Sequence, residues 1–165
     1  MNKFMNIILT VGISGSHKST WVDEFVMDKN NYVCINRDSL RKSLVRNLSG
    51  YYKRDDVNKL EEIVNKLSDG ILNAAYRQGY NVVIDNTNLT QKYINQFINF
   101  QGCSSFQFKM FDASVINAKQ DVLHRDYPHL SLVEAHDKLA YIDKQYEQYK
   151  SIKEWVIKTY PGKTI

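Results

Sequence analysis

Four short apolar runs punctuate the chain, each followed by a stretch whose apolar residues recur at helical spacing. "NIILTV" (6–11), "NYVCIN" (31–36), "NVVID" (81–85) and "SSFQFKMF" (104–111) read as β-strands. The first and third are almost continuously hydrophobic, which predicts burial on both faces, as in a parallel sheet. Residues 18–27 place Trp21, Val22, Phe25 and Val26 on one stripe. Residues 55–78 repeat Val57, Leu60, Val64, Leu67, Ile71 and Ala74, with Gly79 placed to end the helix. Asn88 or Thr90 is placed to cap a helix through Phe100, and Asp112 or Ser114 one reaching Arg125. "SLVE" from Ser131 is a capping box, opening a long helix with Ala135, Leu139, Ile142, Tyr146 and Tyr149 inward. The order βαβααβαβαα implies a parallel α/β sheet with right-handed crossovers.

A chain of 165 residues, 43% hydrophobic and 24% charged, suits one globular domain. Residues 1–160 are read as that domain and 161–165 as a tail or linker remnant. The net charge of +4 permits an anionic partner without demanding one. Cys34 and Cys103 join no metal or redox pattern and are expected as reduced, buried thiols. The apolar stretch near the start runs straight into a glycine loop, so it reads as a buried strand and not as a leader. No apolar run reaches membrane-spanning length, and a cytoplasmic location is expected.

The stretch "GISGSHKST" (12–20) nearly spells a phosphate-binding loop, G-x-x-x-x-G-K-[ST], between a strand and a helix. Gly12 permits the sharp exit from the strand, and Gly15 lets backbone approach phosphate. Gly12, Ser14, Gly15, Ser16, His17, Lys18, Ser19 and Thr20 are the candidate ATP ligands. In this pattern Lys18 reaches the β- and γ-phosphates, the Ser19 hydroxyl holds Mg²⁺, and Thr20 meets the α-phosphate. His17 stands where the pattern has glycine. Histidine visits positive φ more readily than most residues, and its backbone N–H is kept, so about 1 kcal/mol of strain is expected. A protonated His17 ring beside a triphosphate would make ATP affinity depend on pH near ~6–7.

Ligands of parallel sheets bind beyond the carboxyl ends of the strands. Asp38 follows the second strand between Arg37 and Arg41. It is either the N-cap of the next helix or a base that takes the proton of an attacking hydroxyl, with Arg41 gripping a phosphate of the acceptor. Asp85 ends the third strand as a metal-binding or orienting carboxylate. Thr87 and Asn88 after it are turn residues or acceptor contacts. "DVLHRDYPHL" (121–130) is placed as a lid. Its Arg125 either neutralises a transferring phosphoryl group or pairs with the helix dipole. His124 and His129 read as surface residues. "GYYKRDD" (50–56) reads as a loop whose tyrosines either cover the core or stack a base.

Together these segments resemble the kinase domain of bacteriophage polynucleotide 5′-kinases. The match runs through "IILTVGISGSHKSTWVDEF", "INRDSLRKSL", "VVIDNTNL" and "KMFDASV…HRDYP", nearly the whole chain. The resemblance implies a P-loop kinase fold: a four-stranded parallel sheet of order 2-3-1-4, flanked by helices, with a helical lid. It implies transfer of the ATP γ-phosphate, with Mg²⁺, to 5′-OH ends of RNA or DNA. Lys18, Asp38 and Arg125 would be catalytic; Ser19 and Asp85 would hold metal; Arg37, Arg41, Thr87 and Asn88 would meet the acceptor. A partner phosphatase or ligase is expected on the same ground. The chain departs from the family at His17, at Asn86 before Thr87-Asn88, and at Gln120–Asp121, where some relatives carry a second lid arginine. Two other readings fit the same residues: a kinase of a small alcohol such as a nucleoside or sugar, and a non-catalytic nucleotide-binding module.

Overall fold

The computed structural model describes residues 4–126 and 130–165. Its sheet has four strands: β1 (Met5–Val11), β2 (Tyr32–Ile35), β3 (Asn81–Ile84) and β4 (Cys103–Met110). Every pairing is parallel and the order is β2-β3-β1-β4, as the resemblance implies. The register runs Ile7–Val82 and Leu9–Ile84 on one side of β1, and Ile7–Phe106 and Val11–Met110 on the other.

The helices are α1 (Lys18–Asp28), α2 (Arg37–Val45), α3 (Leu48–Tyr52), α4 (Val57–Gln78), α5 (Gln91–Ile98), α6 (Val115–Asp126) and α7 (Leu132–Thr159). One element is new relative to the expected order. The five-residue α3 occupies part of the "GYYKRDD" stretch that reads as a loop, because one helical turn is too short to carry a periodic signal. Tyr51 on it is fully buried, while Tyr52 is exposed.

Strand alternation divides the core between two faces. Ile7, Leu9 and Val11 join Val82, Ile84 and Phe108 under α5 and α7. Ile8 and Val83 point the other way, onto Val22 of α1, with Trp21 and Phe25 stacked at 4.8 Å alongside. The expectation of buried thiols is corrected: Cys34 on edge strand β2 is exposed, and Cys103 at the start of the other edge strand, β4, is half-buried. The capping box is present: Ser131 Oγ accepts from Glu134 N at 3.2 Å, and Ser131 N donates to Glu134 Oε2 at 2.9 Å. It starts a 28-residue helix whose inner face carries Ile142, Gln145, Tyr149, Ile152 and Val156. Thr90 caps α5, its side chain accepting from Tyr93 N. The last residues lie along the outer edge of β4: Phe108 N donates to Lys163 O and Ile165 N to Phe108 O.

Candidate active site

The loop between β1 and α1 takes its shape from two left-handed residues. Gly15 has φ 78, and a Cβ there would lie 2.6 Å from the backbone oxygen of Ala118 on α6. Ala118 Cα lies 3.1 Å away as well, so it is backbone that would have to move. Gly15→Ala is therefore expected to lower thermal stability by roughly 1–3 kcal/mol through backbone strain, and to weaken ATP binding. Calorimetry and ATP titration check this. His17 has φ 61 and ψ 25, the left-handed conformation its place in the motif demands. It is the N-cap of α1 but makes no side-chain cap bond, so the helix N-terminus keeps its N–H groups open toward an anion. Its ring instead turns outward, Nε2 lying 2.9 Å from Asp121 Oδ2 on α6.

Lys18 is buried at the mouth of the loop. Its ammonium donates to Ile13 O at 2.6 Å and to Ser16 Oγ at 3.3 Å. Burial lowers its pKa to about 8; Asp85 and Asp38 oppose that shift, and Arg125 adds to it. These influences place side chains from four separate segments in one electrostatic neighbourhood. In the ligand-free protein the lysine loses its proton as pH rises through about 8, whereas an unfolded lysine would keep it to 10.5. The charged form is the one that attracts a triphosphate, so kcat/KM for ATP is expected to fall above pH ~8, about tenfold per pH unit at the limit. The same shift means that the charged, buried lysine costs stability below that pH, and that this cost fades toward 10.5. A pH profile of kcat/KM measures the first effect.

Asp85 sits buried at the end of β3. Its Oδ2 accepts from the Ser19 hydroxyl at 2.8 Å and from Asn36 Nδ2 at 2.7 Å. Ser19 and Asp85 thus offer two hard oxygens side by side. Mg²⁺ keeps several waters and takes its other ligands from phosphates, so this pair fits it; among the described residues no group of three or more His, Cys, Asp or Glu could hold a metal.

Asn36 was not evident as a functional residue in the sequence. While its amide nitrogen holds Asp85, its Oδ1 accepts from Ser39 N at 2.8 Å and caps α2. The cap is therefore Asn36, and Asp38 lies inside the first turn with its carboxylate released from capping. The Asp38 side chain is 57% exposed, and Arg41 donates to it at 2.7 Å.

Glu61 on α4 was also missed. It accepts from Arg41 Nε at 2.7 Å and Nη2 at 3.0 Å, from Arg37 Nη2 at 2.8 Å, and from the Tyr51 hydroxyl at 2.6 Å. The Arg41 bonds do most to hold its pKa down at about 2, against the opposing effect of burial. Arg37 is buried, its guanidinium shared between Glu61 and Asn65 and lying 5.6 Å from the Tyr93 ring centroid. Its side chain therefore braces α2 on α4. Asn88 is likewise turned inward at φ 50, donating to Thr10 O at 2.7 Å and Ile84 O at 3.2 Å, so its amide ties β1 to β3. Thr87 offers its carbonyl to Gly12 N at 3.1 Å, anchoring the start of the loop. A further long-range contact supports the loop: Gln145 Oε1 of α7 accepts from Ser14 N at 2.9 Å.

Arg125 lies in the last turn of α6, one turn beyond Asp121. Tyr127, Pro128 and His129 of the expected lid lie outside the described residues. No helix among the described residues is long and apolar enough to cross a membrane.

Residues 7–126 match the family model described as "AAA domain". A chain in a structure of the Pnkp1/Rnl/Hen1 RNA repair complex superposes with a TM-score of 0.75 at 24% identity, covering 93% of this chain and 47% of that one. A second structure of the Pnkp1/Rnl/Hen1 complex gives 0.58 at 26% identity, over 72% of this chain and 39% of the other. A chain from the PezAT chromosomal toxin–antitoxin system of Streptococcus pneumoniae gives 0.58 at 23% identity, over 74% and 52%. The chain thus spans less than half the length of either matched chain of the Pnkp1/Rnl/Hen1 assemblies.

Proposed function

This chain belongs to the AAA domain family, with a P-loop kinase fold, and we propose that it is an ATP-dependent polynucleotide 5′-hydroxyl kinase acting in RNA or DNA end repair. The observation that carries this reading is that Asn36 joins Asp85, which accepts from the loop's Ser19 hydroxyl, to the cap of the helix whose first turn exposes Asp38 beside Arg41. The segments that supply these residues resemble bacteriophage 5′-kinases, and the fold likeness to a chain of an RNA repair complex points the same way.

In this reading the Asp38 carboxylate takes the proton of the 5′-OH. The freed oxygen bonds to the γ-phosphorus as the bond to the β-phosphate oxygen breaks, and ADP leaves. Lys18 and the N-terminus of α1 hold the phosphates in line, and Arg125 offsets charge that builds on the transferring group. Ser19 and Asp85 would hold Mg²⁺, which supplies charge neutralisation at the β- and γ-phosphates. In this reading Arg41, held by Glu61 and Asp38, would meet a phosphate of the acceptor strand.

The fold does not choose the acceptor, since one fold hosts many chemistries. The acceptor is identified by incubating the protein with γ-labelled ATP, Mg²⁺ and, separately, 5′-OH RNA, 5′-OH DNA, nucleosides and sugars. Label on the oligonucleotide ends is the expected result. ATP binding without any transfer to those ends overturns the reading, and transfer only to a nucleoside or sugar replaces it with a small-alcohol kinase.

A further inference from the structure

Two tyrosines, one beside the Arg41–Asp38 pair and one on α7, are exposed in a way that core packing does not explain. Tyr52 on α3 is 58% exposed and Tyr141 on α7 is 56% exposed. By contrast the neighbouring Tyr51 is fully buried and spends its hydroxyl on Glu61. The Arg41 guanidinium lies 5.8 Å from the Tyr52 ring centroid, so that ring borders the cation assigned to the acceptor phosphate. The chain just after Tyr52 is also tied to α7. Lys53 fixes this arrangement: its ammonium lies 2.7 Å from Glu134, two helical turns before Tyr141 on the same side of α7. The result is one exposed aromatic face beside the Arg41–Asp38 pair and a second on the helix tied to it through Lys53, on a chain of net charge +4.

We propose that Tyr52 and Tyr141 form a stacking platform for the bases that flank the first phosphate of a single-stranded 5′-OH end. This deepens the polynucleotide-kinase reading and rests on it. Exposed aromatic rings beside cations are how proteins hold single strands without reading sequence, because every base offers a π-face. A sugar or other small alcohol has no base to place there. The platform therefore makes the site prefer a polynucleotide end to a small alcohol.

The test uses 5′-OH hexamers, intact or abasic at the first or second nucleotide, and reads two quantities. The first is the ratio of kcat/KM for intact over abasic substrate, which cancels any general loss of activity. The second is hexamer affinity by fluorescence anisotropy without ATP, which needs no phosphoryl transfer. The wild-type protein is expected to favour the intact hexamer by about tenfold or more in both quantities. Tyr52→Ala and Tyr141→Ala are each expected to bring the ratio toward one, and Tyr52→Phe to preserve it. Tyr80→Ala, at the amino end of β3 and away from the site, serves as control and keeps the ratio. An intact-to-abasic ratio near one in the wild-type protein, or a ratio unmoved by both alanine variants, overturns the platform even if transfer is robust. Hexamer binding that weakens in the alanine variants without any transfer keeps the platform and removes the kinase reading instead.

Discussion

Asp38→Asn is expected to reduce phosphoryl transfer by about 10²–10⁴-fold in kcat while ATP affinity stays near the wild-type value. Asparagine keeps the shape of the side chain and can still accept from Arg41, but it has no basic oxygen for the proton of a hydroxyl. The fold is expected to survive, because Asn36 caps α2 and the exposed Asp38–Arg41 pair contributes little. Single-turnover transfer to a labelled 5′-OH oligonucleotide, run beside an ATP titration, separates chemistry from binding. Unimpaired transfer would remove Asp38 from the role of base.

Glu61→Ala is expected to destabilise the protein by about 2–4 kcal/mol, the range for an ion pair that loses one partner, reduced because Glu61 is part-exposed. Two guanidinium groups and a buried tyrosine hydroxyl converge on this one carboxylate, and Arg37 and Tyr51 have little access to solvent to replace it. The melting temperature is expected to drop by roughly 5–15 °C for a chain of this size. The acceptor KM is expected to rise with it, since Arg41 loses two of its bonds to protein. Glu61 also predicts an acid limb. Its folded pKa of about 2 lies below the unfolded 4.5, so its contribution is complete above pH 4.5 and lost as pH falls toward 2. Glu61→Gln should flatten that limb in pH-dependent thermal unfolding. A melting curve for Glu61→Ala that overlays the wild type would show that α2 and α4 are joined mainly by other contacts.

These two residues mark where the sequence was legible and where it was not. Asp38 follows a strand, sits near a phosphate loop and belongs to a short pattern, so local reading singles it out as a candidate. Glu61 lies in the second turn of a long amphipathic helix beside Glu62, where acidic residues are ordinarily solvated. Only the fold brings it to Arg41, twenty residues earlier in the chain. The same distance limit hid Gln145, whose partner Ser14 is 131 residues away. The sheet was readable because buried parallel strands are apolar throughout, and their order came with the resemblance. Arg37 shows the same limit, because its bonds to Glu61 and Asn65 exist only once α4 is packed against α2. Asn36 was overlooked because an asparagine at a strand end reads as punctuation, and its second hydrogen bond, to Asp85, exists only once β2 and β3 are side by side.

His17 and Asp121 stand out along the chain as two separate blemishes, one in the phosphate loop and one on the lid helix. In space they are a matched pair, ring nitrogen to carboxylate across 104 positions. Two apparent losses are thus one gain: a polar fastener between the loop that cradles phosphates and the helix that carries Arg125. The consequence is epistasis. Restoring glycine at 17 alone would strand an aspartate beside an anion site, and placing arginine at 121 alone would set a cation against the imidazole. Repairing both at once is a different change from the sum of the two, and tallying motif letters singly counts one device as two faults.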